Sequence, residues 1–381
     1  MPSSFGTALR VSVFGQSHSP AIGCVVEGLP SGFLIDNDQL HAFMARRTPG
    51  QGPWSTPRKE ADEPQILSGL NPLGKTSGAP LAITIMNTNT RSHDYDNLLR
   101  VPRPGHSDFA AFSKWHGNQD IPGGGHFSGR LTAPLCAAGG IALQILATKG
   151  VRIQAHLARV GNVEDERFVT QHSDPEALKM LQTQMDAVAA SQPLPTILPE
   201  AQEAMLKEID DARRAKDSVG GLIECVATGF PAGIGSPMFD GLENTLARAL
   251  FGIPAVKGLE FGAGFDVSRR RGSQNNDPYA IYNGTVVPTT NNAGGALGGI
   301  STGAPVVVRV ALKPTSSISQ EQDSVDLTTM EETKLTVHGR HDPCVAVRAV
   351  PVTEAVMALA LLDSWLSFPE EGSAFTLSDH Q

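Results

Sequence analysis

Residues 133–147, APLCAAGGIALQILA, carry a single polar side chain, Gln144, and put two glycines, Gly139 and Gly140, at their centre. The spacing predicts a helix that is apolar nearly all round. A helix without a wet face must be covered on every side, so it belongs between layers. The rest of the chain supplies the layers. Short β-branched runs bounded by Gly or Pro read as strands at Ile22–Glu27, Pro64–Ser68, Leu81–Met86, Gly221–Thr228 and Pro305–Leu312. Apolar residues at i, i+3, i+4 spacing read as helices over Asp38–Arg46, Asp174–Ser191, Glu200–Lys216, Pro237–Leu250 and Val352–Leu366. The expected fold is α+β, with helices sandwiched between two antiparallel β-sheets and not a helix-coated parallel sheet. No repeat or low-complexity linker divides the chain. A single large domain is expected over residues 1–368, with Pro193–Pro199 as an exposed elbow and a poorly ordered tail over 369–381.

Composition narrows the classes. Of 381 residues, 40% are apolar and 18% charged, enough to bury a core and too few charges for a disordered chain. Glycine and proline, 39 and 27, exclude a long coiled coil. No run approaches the roughly 20 apolar residues of a membrane span, and the start, MPSSFGTALR, lacks a signal-peptide core. A cytoplasmic protein with no membrane partner is expected. Cys24, Cys136, Cys225 and Cys344 are scattered without a CxxC pair and read as buried free thiols. A net charge of −9 argues against nucleic acid. Positive charge is nevertheless bunched at Arg46/Arg47, Arg58/Lys59, Arg100/Arg103 and Arg269–Arg271. Such clusters suit a small anion held in a basic pocket, although solvated surface arginines explain the triple equally well.

Residues 69–76, GLNPLGKT, spell a phosphate loop, but they lead through Ser77–Pro80 into the strand-like LAITIM and not into a helix, so they read as a hairpin turn. The GAG at 262–264 lacks the third glycine and distal acid of a dinucleotide site. Loops rich in Gly, Ser and His recur at GQSHS (15–19), RPGHSD (103–108), GGGHFSGRLT (123–132), NNAGGALGGISTG (291–303), KPTSS (313–317) and GRHDP (339–343). Permissive backbone beside hydroxyl, Lys and Arg donors makes them candidate anion cradles. No GxSxG elbow accompanies Ser17 and His18, and no HxxxH or HxH spacing supports a metal site. Acid–base chemistry by histidine on a phosphorylated small molecule is left.

Taken together, these blocks resemble the chorismate synthase family over about Phe5 to Leu366. The family's GESHG appears as Gly15–Ser19, RPGHAD as Arg103–Asp108, DSVGG as Asp217–Gly221, and IPAVKG with FG.GF as Ile253–Phe265. NNAGGxxGGI falls at Asn291–Ile300, KPTSS at Lys313–Ser317, and GRHDPCVxxRAVPVxEA at Gly339–Ala355. The resemblance implies a shikimate-pathway lyase for aromatic amino-acid biosynthesis. Its reaction is the 1,4-elimination of phosphate from 5-enolpyruvylshikimate 3-phosphate, with reduced FMN required but not consumed, and NADPH is a possible reductant. It implies a homotetramer with helices between two antiparallel sheets. By position, His106 protonates the departing phosphate, His18 holds the flavin reduced, and Asp342, with Ser17 and Ser128, manages the proton at the flavin edge. Flavin contacts fall on His126, Phe127, Ser128, Pro254, Ala255, Gly298, Lys313, Pro314, Thr315, Ser316, Ser317 and Arg340. Substrate contacts fall on Arg47, Arg103 and Arg130, whose forks suit phosphate and carboxylate. The chain departs from the family pattern at Gln16, Ser19, Thr48, Pro53, His126, Phe127 and Leu131. His126, in an arginine's place, replaces that cation only when protonated. A flavin-binding paralogue without turnover, or a flavin reductase on the same fold, are the rival readings.

Overall fold

The computed structural model describes residues 3–377 except 51, 53, 56–59, 89–97, 172–174, 283 and 338–340. Strands β1 (Ser4–Phe5), β2 (Arg10–Gly15), β3 (Ala21–Glu27), β4 (Gln65–Ser68) and β5 (Leu81–Met86) form an antiparallel sheet in the order β1-β2-β3-β5-β4. Its inner face alternates as a half-buried strand must: Ile22, Cys24 and Val26 of β3 and Leu81, Ile83 and Ile85 of β5 are buried. A second antiparallel sheet has the order β7-β6-β8-β14-β9, from β6 (Arg152–Val160), β7 (Val163–Glu164), β8 (Gly221–Thr228), β9 (Val256–Phe261) and β14 (Val306–Leu312). Among the described residues, three two-stranded ribbons complete the strands: β10 (Tyr279–Tyr282) with β11 (Thr285–Pro288), β12 (Ala296–Leu297) with β13 (Ile300–Ser301), and β15 (Gln322–Asp326) with β16 (Glu331–Leu335).

Between the sheets lie α1 (Asn37–Arg47), α3 (Thr132–Ala147), α6 (Leu242–Leu250) and α8 (Val345–Ser367), while α2 (Asp108–Trp115), α4 (Pro175–Ala190), α5 (Pro199–Arg214) and the short α7 (Gly272–Asn275) are peripheral. Helix α3 packs on β3 and β5, α8 on β6 and β8, and the two helices on each other. This is the α+β sandwich expected from residues 133–147. Outside the second sheet, Val226 and Val307, paired in register, turn away from α8 and bury Leu181, Met185 and Val188 of α4. That adds a partial fourth layer.

Charged groups inside the sandwich are paired. Glu354 of α8 accepts both ends of the Arg46 guanidinium at 2.5 and 2.8 Å and the Ala155 amide at 2.9 Å, tying α1 and β6 to α8. Asp363, one turn from the end of α8, accepts the amides of Thr7 and Leu9 at 3.0 and 2.9 Å. All four cysteines are free and buried, and burial pushes the Cys24 thiol up to about 12.

Several expectations are corrected. Helix α8 begins seven residues before Val352, because Pro351 falls in its second turn, and it runs 23 residues. By length and composition alone, α8 and the helical run Gly129–Ala147 that contains α3 could cross a membrane, but both are mostly buried inside the sandwich, as core helices are. The pattern from Pro237 splits into a 3-10 turn (Met238–Asp240) and α6, since Gly241 is extended. Pro193–Pro199 is no exposed elbow: Leu194, Thr196 and Ile197 are buried, the Leu157 amide donates to Pro195 O and the Ile197 amide to Asp165. At the far end, Phe375 meets the Trp365 ring edge-on at 5.3 Å. Residues 69–76 form the expected turn, closed by the Leu70–Thr76 bridge and followed directly by β5.

Candidate active site

A cavity of about 630 Å³ opens where the β2–β3 turn, the C-terminus of α1, the 103–107 turn, the 123–132 loop, the 251–257 segment, the 312–317 turn and the start of α8 meet. The glycine run makes this convergence possible. Gly123, Gly124 and Gly125 have φ of 63°, 83° and 54°, a left-handed succession costly for any residue with a Cβ. A Cβ at Gly123 would lie 2.4 Å from both Ser17 Oγ and the His18 ring, and one at Gly124 would lie 3.3 Å from His106 Nε2. The loop backbone therefore runs between the two histidines, and the Ser17 amide donates to Gly125 O at 3.0 Å.

His106 follows Gly105, whose φ is +70°. Its Nδ1 lies 2.5 Å from Asp108 Oδ1, and the same carboxylate takes Arg103 Nε at 2.7 Å and Nη2 at 2.8 Å. Burial opposes ionisation of Asp108, but the bonds from Arg103 and His106 outweigh it and hold the carboxyl well below the usual range. An ionised acceptor at Nδ1 fixes that nitrogen as the donor and leaves Nε2 toward the glycine loop and the cavity. The RPGHSD block shows the spacing of two between His106 and Asp108, but the carboxylate's role comes only from the fold.

Arg47 and Arg130 are both buried and both donate to Asp62, one to each carboxylate oxygen. Arg130 Nε also lies 3.0 Å from Glu60, and Arg47 donates to Thr132 Oγ1 at 3.1 Å and Gly129 O at 3.1 Å. Burial would raise Asp62, yet the two guanidiniums lower it. Its backbone φ of 53° is left-handed, an uncommon state for a residue with a Cβ, stored at the junction of two arginines. Asp342 accepts Arg348 Nη1 at 2.7 Å and Ser55 Oγ at 3.4 Å, while its carbonyl accepts Thr315 Oγ1 at 2.8 Å. Ser316 Oγ accepts Lys313 Nζ at 3.1 Å and Ser317 Oγ accepts Arg103 Nη1 at 3.1 Å. Ala255, at φ 73°, takes the Lys313 amide on its carbonyl at 3.0 Å. His341 lines the cavity too, and burial, then the Arg103 charge, push it down to about 4.

Most of the residues read from sequence thus come together. Ser17, Arg47, Arg103, His106, His126, Phe127, Ser128, Arg130, Pro254, Ala255, Lys313, Thr315, Ser316, Ser317 and Asp342 line one cavity. His18 stands behind Gly123, and Pro314 beside Gly220. Gly298, in the β12–β13 turn, lies outside the lining, and Arg340 falls outside the described residues. Both ring nitrogens of His126 are engaged by the protein, Nδ1 with Gly15 O at 2.7 Å and Nε2 with Ser3 Oγ at 2.6 Å. That geometry makes it a brace between loop and sheet. Asp62, Glu60, Arg348 and Lys257 also belong to the site without a role in the sequence reading, and His341 of the GRHDP loop joins them. Asp62 gives no local signal, because its partners stand 15 and 68 residues away.

This arrangement has counterparts. The family model described as chorismate synthase matches residues 9–366. A protein of Lancefieldella parvula named chorismate synthase is 52% identical over 98% of this chain and 99% of its own length. One of Thermococcus kodakarensis with the same name is 44% identical over 95% and 97%. A crystal structure of chorismate synthase superposes with a TM-score of 0.73 at 26% identity, covering 97% of this chain and 95% of that one. A histidine pair divided by a glycine loop, on a sandwich shared with that crystal structure and a sequence matched almost end to end, places the chain in the chorismate synthase family.

Proposed function

We propose that the chain converts 5-enolpyruvylshikimate 3-phosphate to chorismate. The C3–O bond to phosphate and the C6–H bond break, a second ring double bond forms, and there is no net oxidation. The observation that carries this is His106, oriented by Asp108 with Nε2 toward a cavity whose cations suit a phosphate ester. On this reading His106 hands a proton to the departing phosphate oxygen, and Asp108 keeps the ring aimed. Arg47, Arg103 and Arg130 bound the substrate's anionic groups, held in place beforehand by Asp62 and Asp108.

Reduced FMN is part of the proposal. When bound, it supplies an electron-rich ring that assists ionisation of the ester without being consumed. The residues fit such a group. Ser17 Oγ, buried in the cavity lining, meets no hydrogen-bond partner among the described residues, so a bound polar edge would complete it. Phe251, Ile253 and Pro254 add apolar surface to a lining that also holds the hydroxyls of Thr315, Ser316 and Ser317. His18 beside Ser17, and Asp342 clamped by Arg348, are the groups placed to hold protons at that edge.

NADPH as reductant, a cytoplasmic location and a homotetramer complete the reading. The tetramer is supported by Met238, Phe239, Phe265 and Ile281, whose exposures of 72, 84, 77 and 78% leave apolar surface for another copy to cover. The test is an anaerobic assay with chemically reduced FMN that follows chorismate and phosphate together. Equal rates with oxidised FMN, or NADPH oxidation without elimination, would reject it.

A further inference from the structure

The cations of the cavity divide into two kinds. Arg47, Arg103, Arg130 and Arg348 each face a carboxylate: Asp62, Asp108, Asp62 with Glu60, and Asp342. Lys257 and Lys313 line the same cavity and have no carboxylate partner among the described residues. Strand register puts these two side by side. Leu312 pairs with Val256 and Ala311 with Gly258, so Lys257 is the extra residue of a bulge in β9. Val256 and Leu312 are buried at the cavity wall, while Lys257 and Lys313 beside them are not fully buried and line the same cavity. Lys313 is already steered by Ser316 Oγ at 3.1 Å. Burial, then the nearby Lys257 charge, then Arg103, make its ammonium harder to keep protonated. Two like charges with no acid between them are what a bound dianion relieves.

We propose that Lys257 and Lys313, with the Ser316 hydroxyl, form the seat for a phosphate monoester dianion, and that Lys257 is a ligand-binding residue of this enzyme. The phosphate belongs either to the flavin cofactor or to the substrate, so the inference rests on the function proposed above. Fork-shaped guanidiniums already closed by carboxylates position a ligand, whereas two open ammoniums supply the unbalanced charge that draws a dianion in.

The test compares parent protein with Lys257→Ala and Lys257→Arg, using equilibrium binding of FMN, riboflavin and 5-enolpyruvylshikimate 3-phosphate, with melting temperature as a folding control. Loss of the seat should weaken the phosphorylated ligand it serves about tenfold, with riboflavin unchanged and Arg restoring most of the loss. A weaker FMN assigns the seat to the cofactor, and a weaker 5-enolpyruvylshikimate 3-phosphate assigns it to the substrate. If Lys257→Ala binds both phosphorylated ligands as the parent does, the inference is wrong and the proposed function stands. If the parent itself binds neither, both fall.

Discussion

Gly139 of α3 and Ala355 of α8 touch where the two buried helices cross: a Cβ added to Gly139 would lie 2.4 Å from the Ala355 Cβ and 2.5 Å from its Cα. Neither helix can yield, since one leans on each sheet. Gly139→Ala gains up to about 1 kcal/mol of helix propensity. It should still lose about 1–3 kcal/mol net through overpacking. The urea midpoint would fall at unchanged slope. A midpoint at or above the parent's would show that the crossing has room.

His106→Ala should slow single-turnover elimination by about 10²–10⁴ while FMN binds as before. Asp108→Asn keeps the shape but offers Nδ1 an amide, so it should slow the same step with little change in substrate affinity. Parent rates in either variant would remove that residue from the mechanism.

Asp62 separates two buried guanidiniums. Asp62→Ala leaves Arg47 without its carboxylate and Arg130 with Glu60 alone, and breaking a buried pair on one side costs about 3–5 kcal/mol. A lower melting point and a raised KM are expected together. Restoration of the melting point alone by Asp62→Asn would mean that the charge, and not the shape, sets substrate binding.

Two histidines, one fully buried and one partly, pull stability in opposite directions with pH. His156, fully buried, meets Asp165 at 3.0 Å and Glu224 at 3.4 Å, with Arg309 on the far side of Glu224. Burial lowers its pKa, but the carboxylates more than reverse this, so the folded value is raised. Its contribution is complete below the unfolded value of about 6.5 and is lost as pH rises through the folded one. His156→Gln should remove that alkaline loss and be the less stable protein at pH 6. A parent whose denaturation midpoint holds level from pH 6 upward would contradict this.

His341 does the reverse. Its folded value of about 4 lies below the unfolded one, so stability falls as pH drops from about 6.5 toward 4, by a total on the order of 3 kcal/mol. His341→Asn should flatten that acid limb. An unchanged limb would place the loss on other groups.

The apolar helices and β-branched strands were legible because burial there is continuous and local. Strand β6 was not read as one, because Gln154 and His156 interrupt its apolar run. They are buried only because Glu354, Asp165 and Glu224 arrive from elsewhere in the chain. The first two turns of α8 were hidden by Pro351, which reads as a breaker until the helix is seen to start before it. At the site, loops announced their donors by composition. The acids that hold those donors, Asp62 above all, are set by tertiary contact and leave no local spacing to read.

Because α8 fills the sandwich and is made after every strand of both sheets, the nascent chain holds the two sheets with α1, α3 and α6 before the helix that joins their interior exists. Asp363 then clips the turn between β1 and β2 at Thr7 and Leu9, so that turn is secured only after α8 has been made. Synthesis at about 5–20 residues per second leaves the faces of β6 and β8 that α8 covers open for many seconds. Slower synthesis or a smaller chaperone supply should therefore lower the recovered yield of this protein. A chain stopped before Val345 should be found aggregated or degraded.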